Sequence, residues 1–176
     1  MSERRRSAIA GWVLLANAAW LALTGALALA PDGPYRDAMA ESIGRFYPDD
    51  SDMTAMALEL IDRFGVAFAI VTVVTVIAHV VVGVTLLRNY RWAAIAALVI
   101  AGLQVFSQVL VIVPLLVAPQ LGLPHPLLAG LSPSIAIPLT AALATLVLAS
   151  YLAVIAAVAG RFPFRGGVAD RSAQAL

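Results

Sequence analysis

His79 sits in the uncharged run 64–87, among valine, isoleucine, alanine and threonine. An imidazole there can move a proton near neutral pH, bind a metal or haem, or donate and accept hydrogen bonds. It is the only side chain in the four long apolar runs of this chain that titrates near neutrality. Among the other polar groups in these runs, Asn17, Trp20, Gln104, Gln108 and Ser150 are the candidates to bind something with it. Asn17, His79, Gln104 and Ser150 lie at similar distances along their runs from the nearest arginines, Arg6, Arg88, Arg91 and Arg161. At a helical rise of 1.5 Å per residue, those distances agree to within about 6 Å, so the four can meet in one layer. Small or polar residues share their faces: Thr24 with Asn17, Thr72, Thr75 and Gly83 with His79, Ala97, Ala101 and Ser107 with Gln104. Such faces turn toward a bundle interior or a cavity rather than toward lipid.

Two uses of this layer compete. One is structural, with hydrogen bonds of about 0.6 kcal/mol each fixing helix register. The other is a binding pocket or transport path formed by Asn17, Trp20, His79, Gln104, Gln108 and Ser150, because intramembrane ionisable groups mark functional sites. No carboxylate or arginine accompanies His79, which weighs toward structure. The second histidine, His125, lies between Pro124 and Pro126 in a different part of the chain, so bis-histidine haem ligation is not expected. With no cysteine there is no thiolate ligand or nucleophile, and no phosphate loop, carboxylate pair or serine–histidine constellation is present. The expectation is no catalytic residue, no metal and no cofactor.

The elements that position these residues follow from composition. Hydrophobic residues make up 62% of the 176 and charged ones 12%, far from the balance of a water-soluble domain. A net charge of +1 gives no nucleic-acid signature. Four runs, 8–30, 64–87, 92–118 and 136–160, exceed the length of about 20 residues that crosses a hydrocarbon core and contain no Asp, Glu or Arg. The expected fold is an all-α integral membrane protein: a four-transmembrane-helix bundle forming a single membrane domain. Arg4, Arg5 and Arg6 before an apolar run ending in Ala28-Leu29-Ala30 resemble a secretory signal. The run is longer than a signal core of about 7 to 15 residues and Pro31 follows it, so a retained helix is expected.

Direction is read from arginine. Arg4, Arg5, Arg6, Arg88, Arg91, Arg161, Arg165 and Arg171 all fall on one side, whereas the segment 31–63 is acidic and the proline-rich loop 119–135 carries no charge beyond His125. The rule that short basic loops stay inside puts both termini and the tail 161–176 in the cytoplasm. Trp12, Tyr90, Trp92, Phe162 and Phe164 fit an aromatic belt at that boundary. Arginine as the only basic residue, together with abundant alanine, suggests a bacterial chain and hence its cytoplasmic (inner) membrane.

Between spans one and two, Tyr35, Met39, Ile43, Phe46 and Tyr47 recur at helical spacing. They predict a short extracytoplasmic amphipathic helix over 34–47, lying on the membrane and able to face a partner. After Pro48, the cluster Asp49, Asp50 and Asp52 reads as a helix N-terminus rather than a cation site, and span two is expected to extend outward from 51. Alanine rows 18-22-26-30, 93-97-101 and 141-145-149-153-157, the last with Thr145, offer close helix contacts. Pro114 is expected to kink span three, and the prolines from Pro119 to Pro138 to stiffen a non-helical connection.

The buried glutamate of small multidrug transporters is missing, as are the cysteines of disulfide-forming quinone reductases and of tetraspan adhesion proteins. The reading put first is a non-enzymatic subunit that packs in the bilayer against other membrane protein subunits or against itself. A small transporter or ligand-binding protein with its pocket around His79 comes second, and a lipid- or quinone-active enzyme third.

Overall fold

The computed structural model describes residues 3–30, 33, 37, 40, 41, 51–117, 125–128 and 131–159. Every regular element among them is helical: α1 (Glu3–Ala28), α2 (Ser51–Leu87), α3 (Arg91–Val117), a 3-10 turn at Pro126–Leu128, and α4 (Pro133–Ala159). Four stretches, Glu3–Ala28, Gly65–Leu87, Arg91–Val113 and Ser134–Ala159, are long and apolar enough to cross a bilayer, as in a multi-pass membrane protein. Large apolar side chains such as Val66, Val71, Ile95, Leu103, Leu116 and Leu146 cover the bundle's outside. A continuous apolar exterior of this kind is foreign to a water-soluble monomer. The segment 34–47, with Tyr35, Met39, Ile43, Phe46 and Tyr47, lies outside the described residues except for Asp37, Ala40 and Glu41, which are helical. The tail beyond 159 lies outside them too.

Local chemistry sets the helix ends. α2 stops in a Schellman motif: the Tyr90 N–H donates to the Thr85 carbonyl (3.1 Å) and the Asn89 N–H to that of Leu86 (3.0 Å). Asn89 takes the left-handed conformation this requires, with φ 63°. The three-residue turn 88–90 then feeds directly into α3. α4 opens with Ser132, whose carbonyl accepts from the Ile135 and Ala136 amides (2.9 Å each), and with Pro133 as first helical residue. A missing N–H has no consequence there. Pro138 also lies within α4. The expected non-helical connection therefore ends earlier than predicted, since these two prolines occupy early helix positions where at most one ladder bond is lost. α3 likewise continues through position 114 to Val117.

Each helix packs against its neighbours in chain order and α4 closes on α1. The α1–α2 and α3–α4 pairs meet most extensively, and α2 and α3 touch each other least. Between α1 and α2 the close approach is made by glycine. A Cβ on Gly11 would stand 2.8 Å from the Gly83 carbonyl oxygen, and one on Gly83 would stand 3.1 Å from that of Gly11. Ala93, Ala97 and Ala101 of α3 are buried as expected. The other two alanine rows coincide with the packing faces only in part, as at Ala18 and Ala157. Ala22 and Ala26 of α1, and Thr145, Ala149 and Ala153 of α4, are exposed. The buried face of α1 runs instead through Ser7, Gly11, Leu14, Ala18 and Gly25, and that of α4 through Ala136, Thr140, Ala144, Tyr151, Val154 and Val158. Small residues occur on several faces of both helices, and the neighbour's shape selects one of them.

The apolar core fills only one half of the bundle. Ala10, Leu14, Val82, Leu86, Ala93, Ala94, Ala97, Ala101, Tyr151, Val154 and Val158 form a single buried cluster on the side of Arg4, Arg5, Arg6, Arg88 and Arg91. The opposite half, toward His125, holds the candidate site.

Candidate functional site

At the boundary between the halves, two hydrogen-bonded pairs converge on neighbouring residues of α4. Asn17 Nδ2 of α1 donates to Ser150 Oγ (3.0 Å), whose own proton goes to the Val147 carbonyl (2.7 Å). His79 of α2 is fully buried, with Nδ1 2.8 Å from the Thr75 carbonyl and Nε2 2.8 Å from the Tyr151 hydroxyl. A carbonyl only accepts, so Nδ1 carries the proton and the Tyr151 O–H donates to Nε2. The two rings meet edge to face, with centroids 5.7 Å apart. Both ring nitrogens are thus engaged by the protein itself.

Beyond this floor the helices part around a cavity of about 380 Å³. α3 contributes Gln104, Ser107 and Gln108, α1 Trp20 and Thr24, α2 Thr72 and Thr75, and α4 Thr140. Spacings of three and four residues place the α3 trio on one helix face. The hydroxyls of Thr24, Thr75 and Thr140 donate to their i−4 carbonyls at 2.9, 2.7 and 2.8 Å, the usual way a helix satisfies such a group in apolar surroundings. The Gln104 and Gln108 carboxamides, the Ser107 and Thr72 hydroxyls and the Trp20 indole N–H make no hydrogen bond to any described residue. Among the described lining residues none carries a permanent charge, and His125 alone titrates.

His125 borders the cavity at its far end. Its ring stacks on Trp20, with centroids 5.3 Å apart and planes at 29°. Its amide donates to Thr140 Oγ1 (2.8 Å), and its Nδ1 accepts from the Leu127 N–H (3.3 Å). The proton of the neutral ring therefore resides on Nε2, a donor with no partner among the described residues. Burial pushes its pKa below the ordinary 6.5. The 3-10 turn is in this way tied to both α1 and α4.

Of the six residues singled out from the sequence, the structure brings Trp20, Gln104 and Gln108 to this cavity. Asn17 and Ser150 border a second space of about 220 Å³ between α1 and α4, which shares Trp20, Leu143 and Val147 with the first. His79 lies beneath the cavity and does not line it. Sequence reasoning missed Tyr151, Thr140 and the role of His125. The available signals were a phenol deep in an apolar run and an aromatic polar residue held between two prolines.

Chemically, the cavity offers several neutral donors and acceptors, and no nucleophile paired with a base. Among the described residues no three histidine, aspartate or glutamate side chains converge to hold a metal. Comparison with protein-family models, with curated proteins and with solved structures finds no match to this chain.

Proposed function

We propose that the chain is a multi-pass protein of the bacterial cytoplasmic membrane that holds a small uncharged molecule in the half of the bundle remote from its arginines. The observation that carries this reading is the open pair of carboxamides, Gln104 and Gln108, beside a cavity of about 380 Å³. That volume falls in the range of about 300 to 1,000 Å³ typical of small-molecule sites. A polar group withdrawn from water without a partner costs about 1 to 3 kcal/mol by protein mutational measures, so several together favour an occupant that hydrogen-bonds with them. The pocket reading that centred on His79 moves in this way toward Gln104, Gln108, Trp20 and His125.

Native mass spectrometry of the chain released from mild detergent tests the proposal. A molecule retained at one per chain in the wild type, and lost from a variant with Gln104→Leu and Gln108→Leu, is the expected result. A wild-type chain that retains nothing, and whose stability no extract of its native membrane raises, contradicts it. Orientation rests on the arginine side being cytoplasmic. An impermeant maleimide should then label Ser132→Cys in intact cells, and Tyr90→Cys only after permeabilisation.

The subunit reading keeps one specific support. The exposed rows Ala22 and Ala26 on α1, and Thr145, Ala149 and Ala153 on α4, are surfaces that another transmembrane helix can approach closely. Recovery of the chain with a stoichiometric partner, lost on Ala149→Leu or Ala153→Leu, would make the two readings compatible.

A further inference from the structure

We infer that the cavity takes the head of a neutral amphiphile, an uncharged hydrogen-bonding group on an apolar chain, admitted sideways from the bilayer between α2 and α3. The inference rests on the binding role proposed above and adds the chemical class of the ligand and its route.

Charge is the first discriminator. No described lining residue carries a permanent charge that could pair with a phosphate, carboxylate or ammonium group. A charged head brought here would lose its hydration with nothing to replace it. A carboxamide, by contrast, offers two N–H donors and an accepting oxygen, and Gln104 and Gln108 stand one helical turn apart with Ser107 beside them on the cavity wall. That array suits a head bearing hydroxyls or carbonyls. Trp20 Nε1–H and His125 Nε2–H supply further donors at the far end.

Access is the second. α2 and α3 are joined by only three residues, yet they touch least of the four neighbouring pairs. Phe68 and Val71 of α2 and Val111 of α3 line the cavity and are themselves 51%, 62% and 42% exposed. The cavity wall therefore runs onto the apolar exterior along the α2–α3 seam.

Size is the third. A water molecule takes about 30 Å³ of liquid, so about 380 Å³ accommodates a one-ring or polyol head and not an entire lipid. The chain of an amphiphile would lie outside, along the seam, in surroundings like those it already occupies in the bilayer. Affinity then comes from the head, while the bilayer supplies the ligand at high local concentration.

The test uses Trp20 as reporter. The chain has three tryptophans, and Trp12→Phe with Trp92→Phe leaves only the one lining the cavity. The full chain is reconstituted in phosphatidylcholine vesicles with a low mole fraction of one of four probes. Two are neutral: a monoacylglycerol with bromines near the carbonyl end of its chain, and a benzoquinone bearing a decyl chain. Two carry the same brominated chain on phosphocholine or on phosphate. The expected result is a saturable loss of Trp20 emission with at least one neutral probe, and only a smaller linear loss with the charged-head lipids. Adding Gln104→Leu and Gln108→Leu should return the neutral probe to the linear behaviour. Equal, linear quenching by all four overturns the inference. If the native chain then still retains an uncharged water-soluble molecule at one per chain, the binding role stands and only its lipid character falls. If it retains none, both fall.

Discussion

The two halves of this bundle solve different problems with the same four helices. In the arginine half, Gly11 meets Gly83 backbone to backbone, and four alanines of α3 are buried beside Tyr151, Val154 and Val158. Between helices in lipid there is no hydrophobic force to exploit, so stability comes from close van der Waals contact and satisfied hydrogen bonds. Both are present here, with His79 bonded at each nitrogen and Asn17 paired to Ser150. In the His125 half the helices separate, and the amides of α3 face an opening without partners among the described residues. A fold that invests in contact at one end and leaves donors and acceptors open at the other is organised as scaffold and site. Polar groups alone do not separate the two halves. What separates them is whether the protein supplies each group's partner.

Mutations that exchange these characters should give opposite results. The largest effect is expected at the glycine crossing. Gly83→Leu drives a side chain into the Gly11 carbonyl and the Leu15 side chain. Backbone cannot yield as a flexible side chain does, so a loss of about 3 kcal/mol or more is expected, at the upper end of overpacking costs. Unfolding of the reconstituted chain by a denaturing detergent reads this, while Gly102→Ala, which enters open space, serves as the neutral control.

A smaller loss is expected from the floor. Tyr151→Phe leaves His79 Nε2 buried without a donor, which costs about 1 to 3 kcal/mol. In a double-mutant cycle with His79→Leu, the second substitution should cost less than it does alone, because the partner is already gone. Additive losses would show that the pair acts through packing rather than through its hydrogen bond.

His125 gives the next effect, and its sign follows from burial. Its pKa in the folded chain lies below the unfolded 6.5, so the folded state resists protonation more than the unfolded state does. Its contribution is complete above 6.5 and is lost as pH falls from there toward the lowered folded value. Protonation also turns Nδ1 from acceptor to donor against the Leu127 N–H. The thermal midpoint should therefore fall on acidification through this window, and the fall should shrink in His125→Gln. An unchanged pH profile in that variant would place the acid sensitivity elsewhere.

Much of the scaffold was legible because the four apolar runs exclude charge, and the described helices follow them to within a few residues. The start of α2 at Ser51 and the tight turn at Arg88 and Arg91 were also readable, the first from capping residues and the second from its shortness. Helix rotation was legible on α3, where Ala93, Ala97 and Ala101 are the dominant small row, and not on α1 or α4, where alanine is too frequent to single out one face. Span two looked poor in small residues, yet Gly83 lets α2 approach α1 closely, since one residue without a side chain is enough for two backbones to meet. Asn17 pairs with Ser150 and His79 with the adjacent Tyr151, and these partners decide their use. Nothing in the sequence pairs His79 with Tyr151, because a contact across 72 positions depends on tertiary packing. His125 was overlooked for the same reason: only the fold carries the loop between α3 and α4 back onto Trp20.

The most direct measurement is the unfolding free energy of the ligand-free chain with Gln104→Leu and Gln108→Leu, compared with the wild type in the same detergent. If these amides serve an occupant rather than the fold, replacing them with apolar side chains should leave stability unchanged or raise it, as substitutions in a functional site commonly do. A loss comparable to that of Tyr151→Phe would mean the amides hold the bundle together, and the division into scaffold and site would fail.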